Sequence, residues 1–190
     1  MSKLRSFIAV QAPGKIRAKA AALIGNLAAT EANVKWVAEE NLHWTLKFLG
    51  DVDGNSVPRI CAAMSGVVEG IAPFEIEACG AGAFPNANRP RTVWLGVSEG
   101  RDSFIQLHDV LEEPLNALGF RVDHRRFQPH MTLGRVRNSP SGIDELAAKI
   151  AEFASFDAGK MRVSEIILYS SLPERHGPAY QVLGRAPLSG

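Results

Sequence analysis

"NLHWTLKFLGDV", residues 41–52, and "FQPHMTLGRV", residues 127–136, spell nearly the same word twice in one chain. The shared core is His-x-Thr-Leu: His43-Trp44-Thr45-Leu46 in the first stretch and His130-Met131-Thr132-Leu133 in the second. Aromatic and aliphatic residues closed by a glycine read as a strand ending in a turn. Side chains on a strand alternate between its two faces. His43 and Thr45 therefore share one face, and Trp44 and Leu46 the other; residues 130–133 divide in the same way. The apolar pairs suit packing against helices. The polar pairs face away from that packing and require a different reason.

Working outward, each motif strand is flanked by helical patterns. "SFIAV" (6–10) reads as a buried strand, residues 15–30 as an Ala-rich helix, and residues 57–71 as a helix with Pro58 tolerable in its first turn. Residues 74–84 read as a strand that meets glycines and ends at a bulge or loop, 84–91 as a loop, and 92–98 as a strand. Residues 104–120 read as a helix that Gly119 is placed to end, 142–156 as another helix, and 163–172 with 179–188 as a closing hairpin. Each half thus repeats helix, His-x-Thr-Leu strand, helix. That order suggests a duplication, with two similar lobes forming the single domain 1–190 and facing each other.

Composition sets bounds. With 21 basic against 20 acidic residues and 46% apolar residues, the chain is an ordinary globular sequence. Its overall charge makes no case for nucleic acid and leaves only a local patch open. A chain of 190 residues can bury roughly 70% of its unfolded surface, so folding needs neither metal nor disulfide. Cys61 and Cys79 lie far apart and fit a reducing compartment. The absence of a secretory leader pattern in "MSKLRSFIAV" and of any 18-residue apolar run leads to the expectation of a cytoplasmic protein with no membrane span.

Two imidazoles and two hydroxyls brought to one cleft would form an acid–base site. Histidine, with an ordinary pKa of about 6.5, can give or take a proton near neutrality. One neutral ring can serve as general base and one protonated ring as general acid, while threonine hydroxyls hold the oxygens of a charged centre. No strong nucleophile accompanies them, so water would attack, and opening a phosphodiester needs a base on one side and an acid on the other. A lone His-x-Thr is more often structural; the repeat favours catalysis. A catalytic zinc usually takes three protein ligands, and the motifs supply two, so no metal or other cofactor is expected. His108 is expected at a surface or half-buried position, His124 in the solvated basic run "RVDHRR", and His176 in a turn.

These residues resemble the 2H phosphoesterase superfamily, and within it the RNA 2′,3′-cyclic phosphodiesterases, historically called bacterial and archaeal 2′-5′ RNA ligases. "SFIAV", "NLHWTLKFLGDV", "TVWLGV", "FQPHMTLGRV" and "ILYSSL" look like the family's landmarks in the family's order, from about residue 6 to 185. The resemblance implies an α+β, bilobal fold with two antiparallel sheets, outer helices and a central pseudo-twofold cleft. It implies metal-independent hydrolysis of a terminal RNA 2′,3′-cyclic phosphate to a 2′-phosphate by a monomer acting on RNA ends. His43 would be the proton donor, His130 the base, Thr45 and Thr132 the phosphate holders, and Arg135 a further phosphate contact. Regular alternation places Arg135 on the wrong face, and Gly134 offers a bulge that could re-aim it. Arg89 and Arg91 with Arg121, Arg125 and Arg126 could supply a positive field or simply a solvated surface. Phe48 and Trp94 could stack on a base, with core packing the expectation for each. Cleavage or joining of 2′-5′ linkages, a small cyclic nucleotide as substrate, and a phosphate- or RNA-binding module without turnover remain the alternatives. Arginine or lysine would suit pure binding better than histidine.

Overall fold

The computed structural model describes residues 3–137, 141–175 and 177–190; His176 lies outside them. The elements run β1 (Lys3–Gln11), α1 (Gly14–Leu27), β2 (Val34–Trp36), β3 (His43–Asp53), α2 (Val57–Val68), β4 (Phe74–Phe84), β5 (Thr92–Val97), α3 (Arg101–Ala117), β6 (His130–Val136), α4 (Ile143–Glu152), β7 (Asp157–Val163), β8 (Glu165–Glu174) and β9 (Gly177–Pro187). All strand pairings are antiparallel.

The strand order is β7-β4-β5-β6-β3-β1-β8-β9, with β2 added to β6. The two motif strands, β6 and β3, lie at the centre with three strands beyond each. This is the bilobal α+β fold expected from the resemblance, with one difference. The two sheets are joined where Trp44 pairs with Met131, so the motif strands share one curled sheet. That seam is a single pair because β2 takes the edge of β6 from Gly134 to Val136.

Why the halves cohere follows from the apolar faces. Trp44, Leu46, Met131 and Leu133 are all buried. The helices bring Ile16, Leu23 and Leu27, then Ile60 and Met64, then Phe104, Leu107 and Leu111, then Leu146 and Ile150, each set at helical spacing. These residues form one continuous core across both lobes. Each such side chain contributes about 1.5–3 kcal/mol by leaving water. Gly119, at φ 93°, ends α3 as its position suggested, with the Phe120 N–H donating to the Leu115 carbonyl at 3.1 Å. Among the described residues no helix is long and apolar enough to cross a membrane.

Candidate active site

The two motif strands show the same sequence of burial: half-buried His, buried residue, half-buried Thr, two consecutive buried residues, then an exposed one. Strict alternation cannot bury two neighbours on one face. The cause is a bulge at the same place in each strand. Against β1, Thr45 pairs with Ala9 and Lys47 with Ile8, leaving Leu46 unpaired. Against β5, Thr132 pairs with Trp94 and Gly134 with Val93, leaving Leu133 unpaired. The extra residue reverses the parity of the positions beyond it. Phe48 and Arg135 therefore return to the face of the histidines.

The bulge that Gly134 suggested is present, and the glycine has a second cause. A Cβ there would lie 2.6 Å from Cε3 of Trp36 and 2.7 Å from Cγ1 of Val34, so β2 could not sit against β6. In the first motif Lys47 occupies the corresponding position. It is 5% exposed, and its ammonium donates to both Glu112 carboxylate oxygens at 2.5 and 2.6 Å and to the Arg121 carbonyl at 2.8 Å. Two equivalent backbone positions are thus filled by a close approach in one lobe and by a buried ion pair in the other.

The seam fixes how the polar side chains meet. Trp44 and Met131 face each other and point into the core, so their neighbours on both strands point the opposite way. Extending that register by one residue sets His43 opposite Thr132 and Thr45 opposite His130. Directly opposed Cβ atoms lie roughly 5 Å apart and diagonal ones roughly 7–8 Å. By that register the two histidines stand diagonally across the seam.

Each ring is held in the same way. Nδ1 of His43 donates to the Asn41 carbonyl at 2.7 Å, and Nδ1 of His130 donates to the Gln128 carbonyl, also at 2.7 Å. A carbonyl only accepts, so Nδ1 carries a proton in each ring and Nε2 is the atom left to give or take one. The Thr45 hydroxyl lies 2.9 Å from Nε2 of His43. Asn41 is itself tied down, its amide donating to the Pro178 carbonyl at 2.8 Å.

The surroundings of the rings are aromatic. His43 stacks on Phe7 at 4.9 Å and meets the edge of Tyr180 at 5.3 Å. His130 meets Phe84 edge to face at 4.9 Å, and Phe84 rests on Trp94. Burial lowers the pKa of His43 below 6.5 against the opposing pull of the Asn41 carbonyl. It lowers that of His130 too, where the Gln128 carbonyl opposes the shift and the Arg135 charge adds to it.

A hollow of about 690 Å³ opens over this face, lined by Thr45, Thr132, His130, Arg135, Phe48 and, His124 excepted, the segment 121–128. His43 lines a second hollow of about 390 Å³ with Gln11, Tyr169 and Tyr180, and its bond to Thr45 links a residue of each. Of the five residues picked out by the motifs and the resemblance, Thr45, His130, Thr132 and Arg135 thus line one hollow, and His43 lines the other. Arg91, Arg121, Arg125 and Arg126 also line the larger hollow, whereas Arg89 does not. Among the described residues no cluster of three or more His, Cys, Asp or Glu is placed to hold a metal ion.

Three expectations are corrected. Phe48 is not in the core: it is 68% exposed on the cleft face, put there by the bulge. His108 is not at the surface: it is 5% exposed and stacks flat on Phe127 at 4.1 Å. Trp94 is not in the core either: it is half-buried and paired with Thr132 on the cleft face, its ring lying over Gly82, where any Cβ would strike it. His124 is exposed, as expected of that basic run, while Arg121, Arg125 and Arg126 beside it line the cleft. Sequence reasoning also missed Asn41 and Gln128. Their signal was a shared position, two residues before each histidine.

Two His-x-Thr strands meeting at the seam of a bilobal sheet define the two-histidine class of phosphoesterase fold. The chain belongs to the 2′-5′ RNA ligase superfamily, whose family model matches residues 13–174. An RNA 2′,3′-cyclic phosphodiesterase of Methanothermobacter thermautotrophicus is 40% identical over 178 residues, 94% of this chain and 95% of the relative. One of Archaeoglobus fulgidus is 38% identical over 181 residues, 95% of this chain and 98% of the relative. Among solved structures, E. coli LigT complexed with 3′-AMP superposes with a TM-score of 0.76 at 28% identity, covering all of both chains. TT0787 of Thermus thermophilus gives 0.80 at 26% identity, covering 98% of this chain and 99% of that one.

Proposed function

We propose that this protein hydrolyses the 2′,3′-cyclic phosphodiester at an RNA end to a 2′-phosphate, using His43 and His130 as an acid–base pair without a metal. The observation that carries the reading is the seam: one backbone pair, Trp44 with Met131, sets both imidazoles and both threonines on one face. The names of the relatives, RNA 2′,3′-cyclic phosphodiesterases at 38–40% identity over most of both chains, support the substrate.

The division of labour is the one the resemblance implies, with His130 the base and His43 the acid. Nε2 of His130 takes a proton from water as the water oxygen bonds to phosphorus. The P–O3′ bond breaks, and protonated His43 delivers a proton from its Nε2 to the departing oxygen. The products are a 2′-phosphate and a 3′-hydroxyl. Thr45, Thr132 and Arg135 hold the phosphoryl oxygens as charge builds on them, where fixed donors act most strongly. The exposed ring of Phe48 offers the terminal base a stacking surface. The test is incubation of the purified protein with RNA ending in a 2′,3′-cyclic phosphate in excess EDTA, followed by identification of the new terminus. A 2′-phosphate is expected. Turnover that vanishes in EDTA and returns with zinc or manganese would overturn the acid–base reading.

A further inference from the structure

The reacting phosphate is a single monoanion, and Arg135 with two threonines already attends it. The same hollow is nevertheless lined by four more arginines, Arg91, Arg121, Arg125 and Arg126, and by one acidic residue, Asp123. Asp123 is engaged by Arg125, through the backbone N–H and Nε at 3.1 Å and a terminal nitrogen at 3.0 Å. Among the described residues Arg91, Arg121 and Arg126 form no ion pair. In a chain whose net charge is only +1, this is a local excess of positive charge beyond what one phosphate requires.

The segment carrying three of these arginines, between α3 and β6, has no regular structure, yet its backbone is fastened at several points. The Lys47 ammonium donates to the Arg121 carbonyl at 2.8 Å, and Glu112 accepts the Asp123 N–H at 3.2 Å. Phe127 lies parallel to the buried His108 ring, and the Gln128 carbonyl holds Nδ1 of His130. The backbone is fixed by buried groups while the arginine side chains stay exposed. With the backbone of the wall already ordered, an anion that binds there has only the arginine side chains left to order.

We propose that residues 121–126 form a site for the RNA backbone upstream of the reacting end, where Arg121, Arg125 and Arg126 take phosphates 5′ to the terminal nucleotide. The inference rests on the function proposed above and adds that the enzyme selects a chain over a free cyclic nucleotide. Cytidine 2′,3′-cyclic monophosphate has no upstream phosphate; a tetraribonucleotide with the same terminus has three. Wild type should show a higher kcat/KM for the tetranucleotide. In R121Q/R125Q/R126Q the ratio of the two kcat/KM values should fall at least ~10-fold, as expected when charge-assisted hydrogen bonds are removed. Binding of a fluorescent tetraribonucleotide 2′-phosphate, measured by anisotropy against KCl, gives a readout that needs no turnover. The slope of log affinity against log salt should shrink by about 0.7 for each phosphate that the wall no longer neutralises. An unchanged ratio together with an unchanged slope overturns the proposal. If wild type hydrolyses neither substrate, the functional reading fails, and the salt slope still decides whether this wall binds RNA.

Discussion

Replacing Lys47 with Met removes one half of an ion pair whose partners are 5% and 14% exposed. Glu112 then loses its ammonium and keeps the Asp123 N–H at 3.2 Å, with His108 Nε2 at 3.4 Å. Breaking a buried pair from one side costs about 3–5 kcal/mol. Because Glu112 keeps one firm donor and sits near the rim, the lower end, about 3 kcal/mol, is expected. For a chain of this length that corresponds to a fall in melting temperature of roughly 6–12 °C. The double variant K47M/E112L removes both charges and should recover at least half of the loss, since well-packed apolar replacements of buried pairs are often neutral. Urea unfolding of wild type, both single variants and the double variant completes the cycle. A cost below about 1 kcal/mol for K47M, or no coupling between the positions, would show a pair screened like a surface one. The fastening of segment 121–128 would then fall with it.

Alanine at either His43 or His130 should lower kcat by at least ~10²-fold, with the double variant little worse, and a substrate whose leaving group needs no proton should rescue H43A alone; rescue of H130A instead would reverse the roles. Since burial lowers both histidines from 6.5, kcat/KM should be bell-shaped in pH with its maximum on the acid side of 6.5; a maximum well above that value contradicts the environment described. Both rings bind fewer protons when folded than when unfolded, so their contribution to stability is complete above pH 6.5 and lost as pH falls through the folded values. Melting temperatures of wild type and H43Q/H130Q should accordingly diverge below pH 6.5. Gly134→Ala drives a methyl group into Trp36 and Val34 at 2.6–2.7 Å and should cost about 1–3 kcal/mol by urea unfolding, with a loss of kcat/KM as Arg135 shifts; full activity at wild-type stability would mean that the bulge does not depend on the glycine.

Much of the fold and the heart of the site were legible because alternation is a strong rule. His43, Thr45, His130 and Thr132 needed only the period of a strand and a reason for a polar face. The bulges were half legible. Gly134 announced the one that turns Arg135 inward, but nothing in "TLKFLG" announces its counterpart, because a lysine in a strand reads as solvated until its buried partner is known. That partner lies 65 residues away, and the same ignorance hid Phe48 and His108. The strands β2 and β7 were missed for different reasons. β2 has three residues, too few for any period. β7 carries Gly159 and charged residues that make sense only across the sheet, where Lys160 and Arg162 face Glu77 and Glu75. The arginine wall was readable as composition and not as place, since only the fastened backbone turns a basic run into one side of a cleft.

The chain order of the sheet has one more consequence. β4, from the first half of the sequence, pairs within the second lobe, while β8 and β9, from the end of the chain, complete the first. A nick in the surface loop between Phe84 and Thr92 would therefore not release two lobes. It would yield two fragments with one motif histidine each, His43 in the first and His130 in the second, every fragment holding strands the other needs. Neither could build half of the site alone, and mixing them should restore the whole. Complementation of severed pieces thus offers a readout of folding in which recovered hydrolysis reports that the strand exchange has been completed.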